Sequence, residues 1–519
     1  MENKKVTLSL CMIVKNEEEF LANCLESVRN VVDEMIIVDT GSTDGTVDIA
    51  RRYNAKVYFH EWQNSFSEAR NFALQFVTGD WVLQLDADEE LVQEDIPLLL
   101  QTIRSTDANA VFVSLYNELP EDSVSKHYFP RLYRKGMAHY EGIVHNQLIF
   151  QGQAVHAEIR ILHHGYNLDP EKMARKYERS ARLLEKQLQQ NPNYIFAWHN
   201  LIRIHRNQLK YDLVIKEAQD VLQRLPYESG QPSYLMIAYD AAVCAYKKGD
   251  YATSENFCKI ALEKNPHYVD ALTVYASILI QHKKYQQAIP VLHKALENLR
   301  DLEENPRFTM LKIDSIGTEY MLYKHIGYCH IQLQSLDKAE EALLKSLQYN
   351  AEHSETYQIL GTLYINMRDW EKARAYFEKL LLLNPDHLGA MANLSLIYLE
   401  QGKRELAEEQ LYRLSLFDSI EEELLLILGN LCVKAKNFKL AIEFYEKYLR
   451  RNPHRLEIVN NIANCYACQG HLESAIIGYQ EVLTRDPMNQ LALKNLLHLQ
   501  QYIENTSNRT LKENLIFSA

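Results

Sequence analysis

Between Val6 and Val14 the chain is almost continuously apolar, and a short run of that kind bounded by polar residues predicts a strand buried on both faces. Met35–Val38 is a second such run, ending in Asp39. Lys56–His60 is a third candidate strand, and Trp81–Leu85 a fourth, ending in Asp86. Between them the apolar positions recur at helical spacing over Glu18–Val31, Thr46–Tyr53 and Ser67–Phe76. Strand, helix, strand in that order predicts an α/β domain with a mostly parallel sheet and right-handed crossovers. Ligands of such sheets bind at the carboxyl ends of the strands. Polar motifs fall there: Lys15-Asn16-Glu17, Asp39-Thr40-Gly41-Ser42 and Asp86-Ala87-Asp88.

After about Asp169 the rhythm becomes helix after helix, with a repeat. Gly361, Ala373 and Pro385 recur as Gly429, Ala441 and Pro453, and again as Ala463, Ala475 and Pro487. Gly327, Ala339 and Ala351 form an earlier copy, and Ala242, Ser254, Pro266, Ala276 and Ala288 mark looser ones. Trp198 and Tyr211 point to a degenerate copy before those. Small residues let paired antiparallel helices approach closely, and proline marks the turn into the next pair, so the pattern predicts an all-α solenoid of tetratricopeptide type. The expected organisation is an α/β domain over 1–168, or to about 190, an array of about eight copies over 191–487, and a capping helix with a frayed tail over 488–519.

Composition narrows the classes. With 519 residues the chain is too long for one ordinary core. A net charge of −13 weighs against nucleic-acid binding, which needs clustered positive charge. No apolar stretch is long enough for a transmembrane helix. The apolar run after Lys4-Lys5 is short, lacks a small-residue cleavage site and ends in Lys15-Asn16-Glu17, so a strand and not a signal peptide is expected there, and a cytoplasmic location. The eight scattered cysteines are then expected to be reduced core residues. Cys465 and Cys468 form a C-x-x-C, but inside a repeat helix without a second pair, which argues against zinc. Asn505-Thr506-Ser507 matches a glycan acceptor, a match without meaning in a chain that is not exported.

Two carboxylates one residue apart after a buried strand, Asp86 and Asp88, can reach a hard divalent cation that bridges nucleotide phosphates. With Val14-Lys15-Asn16-Glu17-Glu18, Val38-Asp39-Thr40-Gly41-Ser42-Thr43-Asp44-Gly45-Thr46, Ala69-Arg70-Asn71 and Gly79-Asp80-Trp81 in order and at matching spacing, residues 6–90 resemble the family 2 glycosyltransferases of GT-A fold. Pro130-Arg131-Leu132-Tyr133-Arg134, Tyr140-Glu141-Gly142-Ile143-Val144-His145 and Ile161-Leu162-His163-His164-Gly165-Tyr166 resemble a subgroup with C-terminal tetratricopeptide repeats that includes the S-glycosyltransferases of glycopeptide bacteriocins. That subgroup usually reads His-Glu where this chain has His145-Asn146, so no carboxylate role falls on position 146.

The resemblance implies a role for each matched position. Val14, Lys15, Glu17, Asp39, Gly41, Ser42 and Asp44 would form the nucleotide pocket, with Asp39 accepting from a uracil base and Glu17 near the ribose or base. Arg70 would lie by the diphosphate or sugar, and Asp86 by the ribose or sugar. Asp88 would be the direct metal ligand, joined by His163, for Mn2+ or Mg2+. Family 2 enzymes invert the anomeric centre and need a general base, for which Glu141 or His145 is available, Glu141 being preferred. Turn formation or capping is the competing reading of Asp39, and a solvated helix face that of Arg70.

A repeat groove beside such a domain implies that a hexose or N-acetylhexosamine passes from a UDP-sugar to a protein, peptide or cell-envelope glycan, the groove binding acceptor or partner protein. Repeat surfaces are also compatible with a homodimer. The alternative class is a catalytically inactive repeat scaffold, against which the intact Asp86-Ala87-Asp88 argues. A nucleotidyltransferase of similar topology would need a glycine-rich phosphate loop that this chain lacks near its first strand.

Overall fold

The computed structural model describes residues 5–118, 124–142, 147–164, 170–228, 231–304, 311, 313–506, and these fall into two compact units, Met1–Leu333 and Gln334–Ala519. The first unit opens with strands β1 (Leu8–Val14), β2 (Glu34–Asp39), β3 (Lys56–Phe59) and β4 (Trp81–Gln84), alternating with helices α1 (Leu21–Val28), α2 (Thr46–Arg52) and α3 (Phe66–Leu74). There follow β5 (Glu89–Leu91), α4 (Ile96–Ser105), β6 (Ala110–Glu118), β7 (Val124–Arg134), β8 (Ala138–Glu141), β9 (Gln147–Phe150) and β10 (Ala154–His163).

The main sheet runs β3-β2-β1-β4-β7-β6-β10-β5. Its first four strands are parallel, as the alternation of elements predicts. The rest is mixed: β7 is antiparallel to both β4 and β6, β10 is parallel to β6, and β5 closes the edge antiparallel to β10. Six of the eight strands therefore run the same way and only β7 and β5 are reversed, so the sheet is mostly parallel as expected, with its antiparallel pairings all beyond β4. Among the described residues no helix lies between β6 and β7, and those strands pair antiparallel.

Side chains alternate along β1, which explains its unbroken apolar run. Leu8, Leu10, Met12 and Val14 pack with Leu25 and Val28 of α1 and Leu99 of α4, while Cys11 faces Ala73 of α3, Val82 and Tyr133 on the other side. At Gly79 an added Cβ would lie 2.5 Å from Ser9 Oγ, a hydroxyl that accepts from the Gly79 N–H and donates to Glu34 at 2.6 Å. Only glycine fits that approach of the β4 lead-in to β1.

The helical part continues with α5 (Pro170–Gln190), α6 (Ile195–Asn207), α7 (Tyr211–Arg224), α8 (Pro232–Lys247), α9 (Tyr251–Lys264), α10 (Val269–Gln281), α11 (Tyr285–Glu304) and α12 (Glu319–Gln332). The first unit thus runs well past residue 168. The change of fold at that point is not a boundary of compactness, because Phe66 of α3 packs with Tyr177, Leu184 and Leu188 of α5 and Leu201 of α6.

The second unit carries α13 (Leu336–Tyr349), α14 (Ser354–Asn366), α15 (Trp370–Leu383), α16 (Leu388–Glu400), α17 (Arg404–Ser415), α18 (Glu422–Lys434), α19 (Phe438–Arg451), α20 (Leu456–Gln469), α21 (Leu472–Arg485) and α22 (Gln490–Thr506). Gly361 of α14 faces the ring of Phe377 in α15, where a Cβ would come within 2.6 Å, and Gly429 of α18 faces Tyr445 of α19 in the same way. Each helix pair turns through one residue of positive φ: Leu209, Gly249, Lys283, Gln334, Arg368, Gly402, Lys436 and Gly470. From Gln334 onward the spacing is 34 residues, whereas Lys283 to Gln334 is 51, an excess of 17 shared between α11, which runs to 20 residues, and the longer segment before α12. The eight cysteines are free thiols, all buried except Cys468. No helix among the described residues is long and apolar enough to cross a membrane.

Candidate functional site

The carboxyl ends of β1, β2 and β4 carry the three polar loops. The loops after β1 and β2 are stitched together: Asn16, at φ 57°, donates its N–H to Ser42 Oγ at 2.9 Å and accepts from Thr43 N at 2.8 Å. Glu18 accepts from Gly45 N at 2.8 Å, and Glu17 N donates to Thr46 Oγ1 at 2.8 Å. Asp44 accepts from the N–H and hydroxyl of Thr46, the first residue of α2. Asp39 is buried and accepts from the N–H groups of Gly41 and Ser42, both at 3.0 Å, the turn-forming role that competes with base recognition in the sequence. Gly41 itself has φ +105° with open space about it, so this turn needs glycine for backbone reasons. Lys15 is exposed and Val14 buried at the rim. Burial, with Asp88 alongside, pushes Glu17 up to about 7.

At the end of β4 the carboxylates part company. Asp86 receives Arg70 Nη2 at 2.5 Å, Arg131 Nη2 at 3.2 Å and Gln84 Nε2 at 3.2 Å. Although burial works against ionisation, Arg70 and Arg131 hold Asp86 well below the usual carboxylate range. Arg131, from β7, also grips Gln84 and the buried Glu89, and Glu89 in turn accepts from Asp86 N at 2.9 Å. Burial pushes Glu89 up against the pull of Arg131. Asp88 meets His163, at the end of β10, across 3.3 Å. These two residues, 75 positions apart, are brought together by β5 pairing with β10 in the register His163 opposite Glu89.

Arg70 is buried, lies over the Tyr140 ring at 5.4 Å, and has Nε and Nη1 without a hydrogen-bond partner among the described residues. Asn71, beside it in the same motif, exchanges two 2.8 Å hydrogen bonds with the Tyr140 backbone and so pins β8 to α3. Strand alternation then decides the fate of Glu141. Tyr140 points inward, bonding Tyr133 at 3.1 Å, while Glu141 faces solvent and pairs with His139 at 3.0 Å. Tyr140, not Glu141, lines the cavity beside Asp86, so the structure does not join Glu141 to the carboxylates. His145 lies outside the described residues.

Arg131, Glu89 and Gln84 have no role in the sequence reading. Their signal is weak, since an arginine on a strand reads as solvated until its neighbours are known.

Asp88 and His163 offer a carboxylate and an imidazole, and no cluster of three or more His, Cys, Asp or Glu groups forms a cage among the described residues. Two protein donors suit a cation that keeps waters and takes phosphate oxygens from its substrate, as Mg2+ does.

The family profile "Glycosyl transferase family 2" matches residues 9–159, and tetratricopeptide-repeat profiles match 245–312, 322–353, 360–420 and 422–455. A TPR repeat-containing protein of Synechococcus elongatus is 38% identical over 286 residues, 52% of this chain and 70% of that protein. The SPbeta prophage-derived glycosyltransferase SunS of Bacillus subtilis is 24% identical over 294 residues, 54% of this chain and 60% of its own length. An uncharacterized glycosyltransferase of Rickettsia typhi is 34% identical over 155 residues, 28% of this chain and 53% of its own length. The chain thus spans between half and two thirds of the latter two relatives.

Proposed function

Because the chain belongs to the family 2 glycosyltransferases that carry C-terminal tetratricopeptide repeats, we propose that it moves a hexose or N-acetylhexosamine from a UDP-sugar, with inversion, to a polypeptide or cell-envelope glycan. One observation carries the reading: at the ends of β4 and β10 the paired carboxylates divide into an Arg70–Asp86 pair and an Asp88–His163 pair.

The two pairs suit different tasks. Asp86, held ionised by two arginines, can accept hydrogen bonds from ribose or sugar hydroxyls. The unpartnered Nε and Nη1 of Arg70 are donors that would serve a departing diphosphate or the sugar. Asp88 and His163 would hold Mn2+ or Mg2+, which when bound supplies charge neutralisation at the leaving diphosphate. The loops of Glu17 and Asp39 would seat the nucleotide, and the repeats of the second unit would bind acceptor or partner protein.

The experiment is release of UDP from a panel of nucleotide sugars, with and without Mn2+, by the wild-type protein and Asp88→Ala. Slow hydrolysis of one UDP-sugar, abolished by chelator and by the substitution, is expected. No turnover together with no calorimetric binding of any of the sugars would overturn the reading.

A further inference from the structure

A cavity of about 920 Å³ touches Arg70, Gln84, Asp86, Glu89 and His163 on one side. Its other wall is built by α5, α6, the start of α8 and Leu311, Ile313 and Ile316 of the segment between α11 and α12. None of Val14–Glu17 or Asp39–Thr46 lines it, so it extends away from the loops assigned to the nucleotide. A displacement at the anomeric carbon needs its nucleophile opposite the departing diphosphate, and the wall of this cavity that faces Arg70, Asp86 and His163 is where an acceptor would stand.

We propose that the helical wall is the acceptor site and that it takes an uncharged, apolar polypeptide segment; this rests on the glycosyl-transfer reading above. The wall presents Met173, Tyr177, Tyr194, Phe196, Met236 and Ile313. A hydroxyl-dense glycan laid on such a surface would lose water without gaining partners, whereas aliphatic and aromatic side chains would gain. Asn200, Asn207 and Gln231 add amides, each both donor and acceptor, which match a peptide backbone. Of the Lys and Arg side chains lining the cavity, Arg70 and Arg131 are paired with Asp86, Arg203 with Asp314 at 2.7 Å, and Lys176 acts electrostatically on Glu17.

The wall is built before any acceptor arrives. Asp314, whose N–H and that of Ser315 donate to the buried Asp270 at 2.8 and 2.9 Å, ties the inserted turn to α10, and its carboxylate ties it to α6 through Arg203. Ile313 and Ile316 are thereby fixed against the cavity.

The test uses the full chain, the donor that it hydrolyses fastest, and a randomised decapeptide library with one Ser, Thr or Cys per peptide, read by mass shift. The variants are Phe196→Ala, which trims the wall, and Ser180→Trp, which fills the cavity without removing a contact. Expected are glycosylated decapeptides with apolar neighbours, transfer reduced roughly tenfold or more in both variants, and donor hydrolysis within about twofold of wild type. Unchanged transfer in both variants, or an untouched library while hydrolysis proceeds, overturns the inference. So does modification of free oligosaccharides in place of peptides. Absence of donor hydrolysis in the wild type instead removes the glycosyl-transfer reading, and the inference with it.

Discussion

Arg70 reaches from α3 to place Nη2 2.5 Å from Asp86 Oδ1, and it keeps two further buried N–H groups without a hydrogen-bond partner among the described residues. A buried guanidinium half satisfied by protein is suited to a ligand that completes it. In Arg70→Lys the ion pair survives but the planar fork does not. Turnover of the donor is expected to fall about a hundredfold, with the thermal unfolding midpoint little changed. UDP release and a melting curve on the same sample check this.

Arg131 compensates Glu89, which is 1% exposed. Removing the cation in Arg131→Met leaves a buried carboxylate alone, and a loss of about 3–5 kcal/mol is expected. The double variant with Glu89→Gln should recover part of it, since no charge is then stranded. Urea unfolding of the four proteins closes the cycle.

Asp39 separates two roles. Asp39→Asn keeps an acceptor oxygen for the Gly41 and Ser42 N–H groups, so the turn and the stability should persist. If the carboxylate also accepts from uracil, the amide weakens UDP-sugar affinity about tenfold or more, a loss of order 1–2 kcal/mol. Calorimetry with the donor reads the affinity. Unchanged binding would leave Asp39 with the turn alone.

Glu34 gives a pH dependence. Burial opposes its charge, yet hydrogen bonds from Lys56, Ser9 and Thr78 hold it at about 2. A folded pKa below the unfolded value of about 4.3 means stability that is fully present above pH ~4.5 and lost as pH falls toward 2. The stability gap between wild type and Glu34→Gln should therefore be widest near neutrality and narrow between pH 4.5 and 3. Denaturant midpoints at each pH measure it.

Period and spacing in the chain determined a good deal. The apolar runs placed β1, β2 and β4 because a strand covered on both faces must be apolar at successive positions, whereas β3 at the sheet edge is partly exposed, and the polar residues after the buried runs fell at strand ends because backbone leaving a buried sheet needs turn chemistry. The glycine and alanine of each repeat were legible because helix packing demands a small residue at a fixed register, as Gly361 against Phe377 shows. Asp39 was legible as a turn former, and its carboxylate accepts from the N–H groups of Gly41 and Ser42.

Tertiary structure decided what depends on distant partners. Arg131 joins the site only because β7 pairs antiparallel with β4, and His163 meets Asp88 only because β5 returns along β10. The local pattern around Glu141 does not reveal that β8 turns Tyr140 inward and Glu141 outward, since a one-residue shift of register would reverse them. The cavity wall likewise needs helices some hundred residues beyond the motifs, because long-range contact, and not local propensity, assembles it.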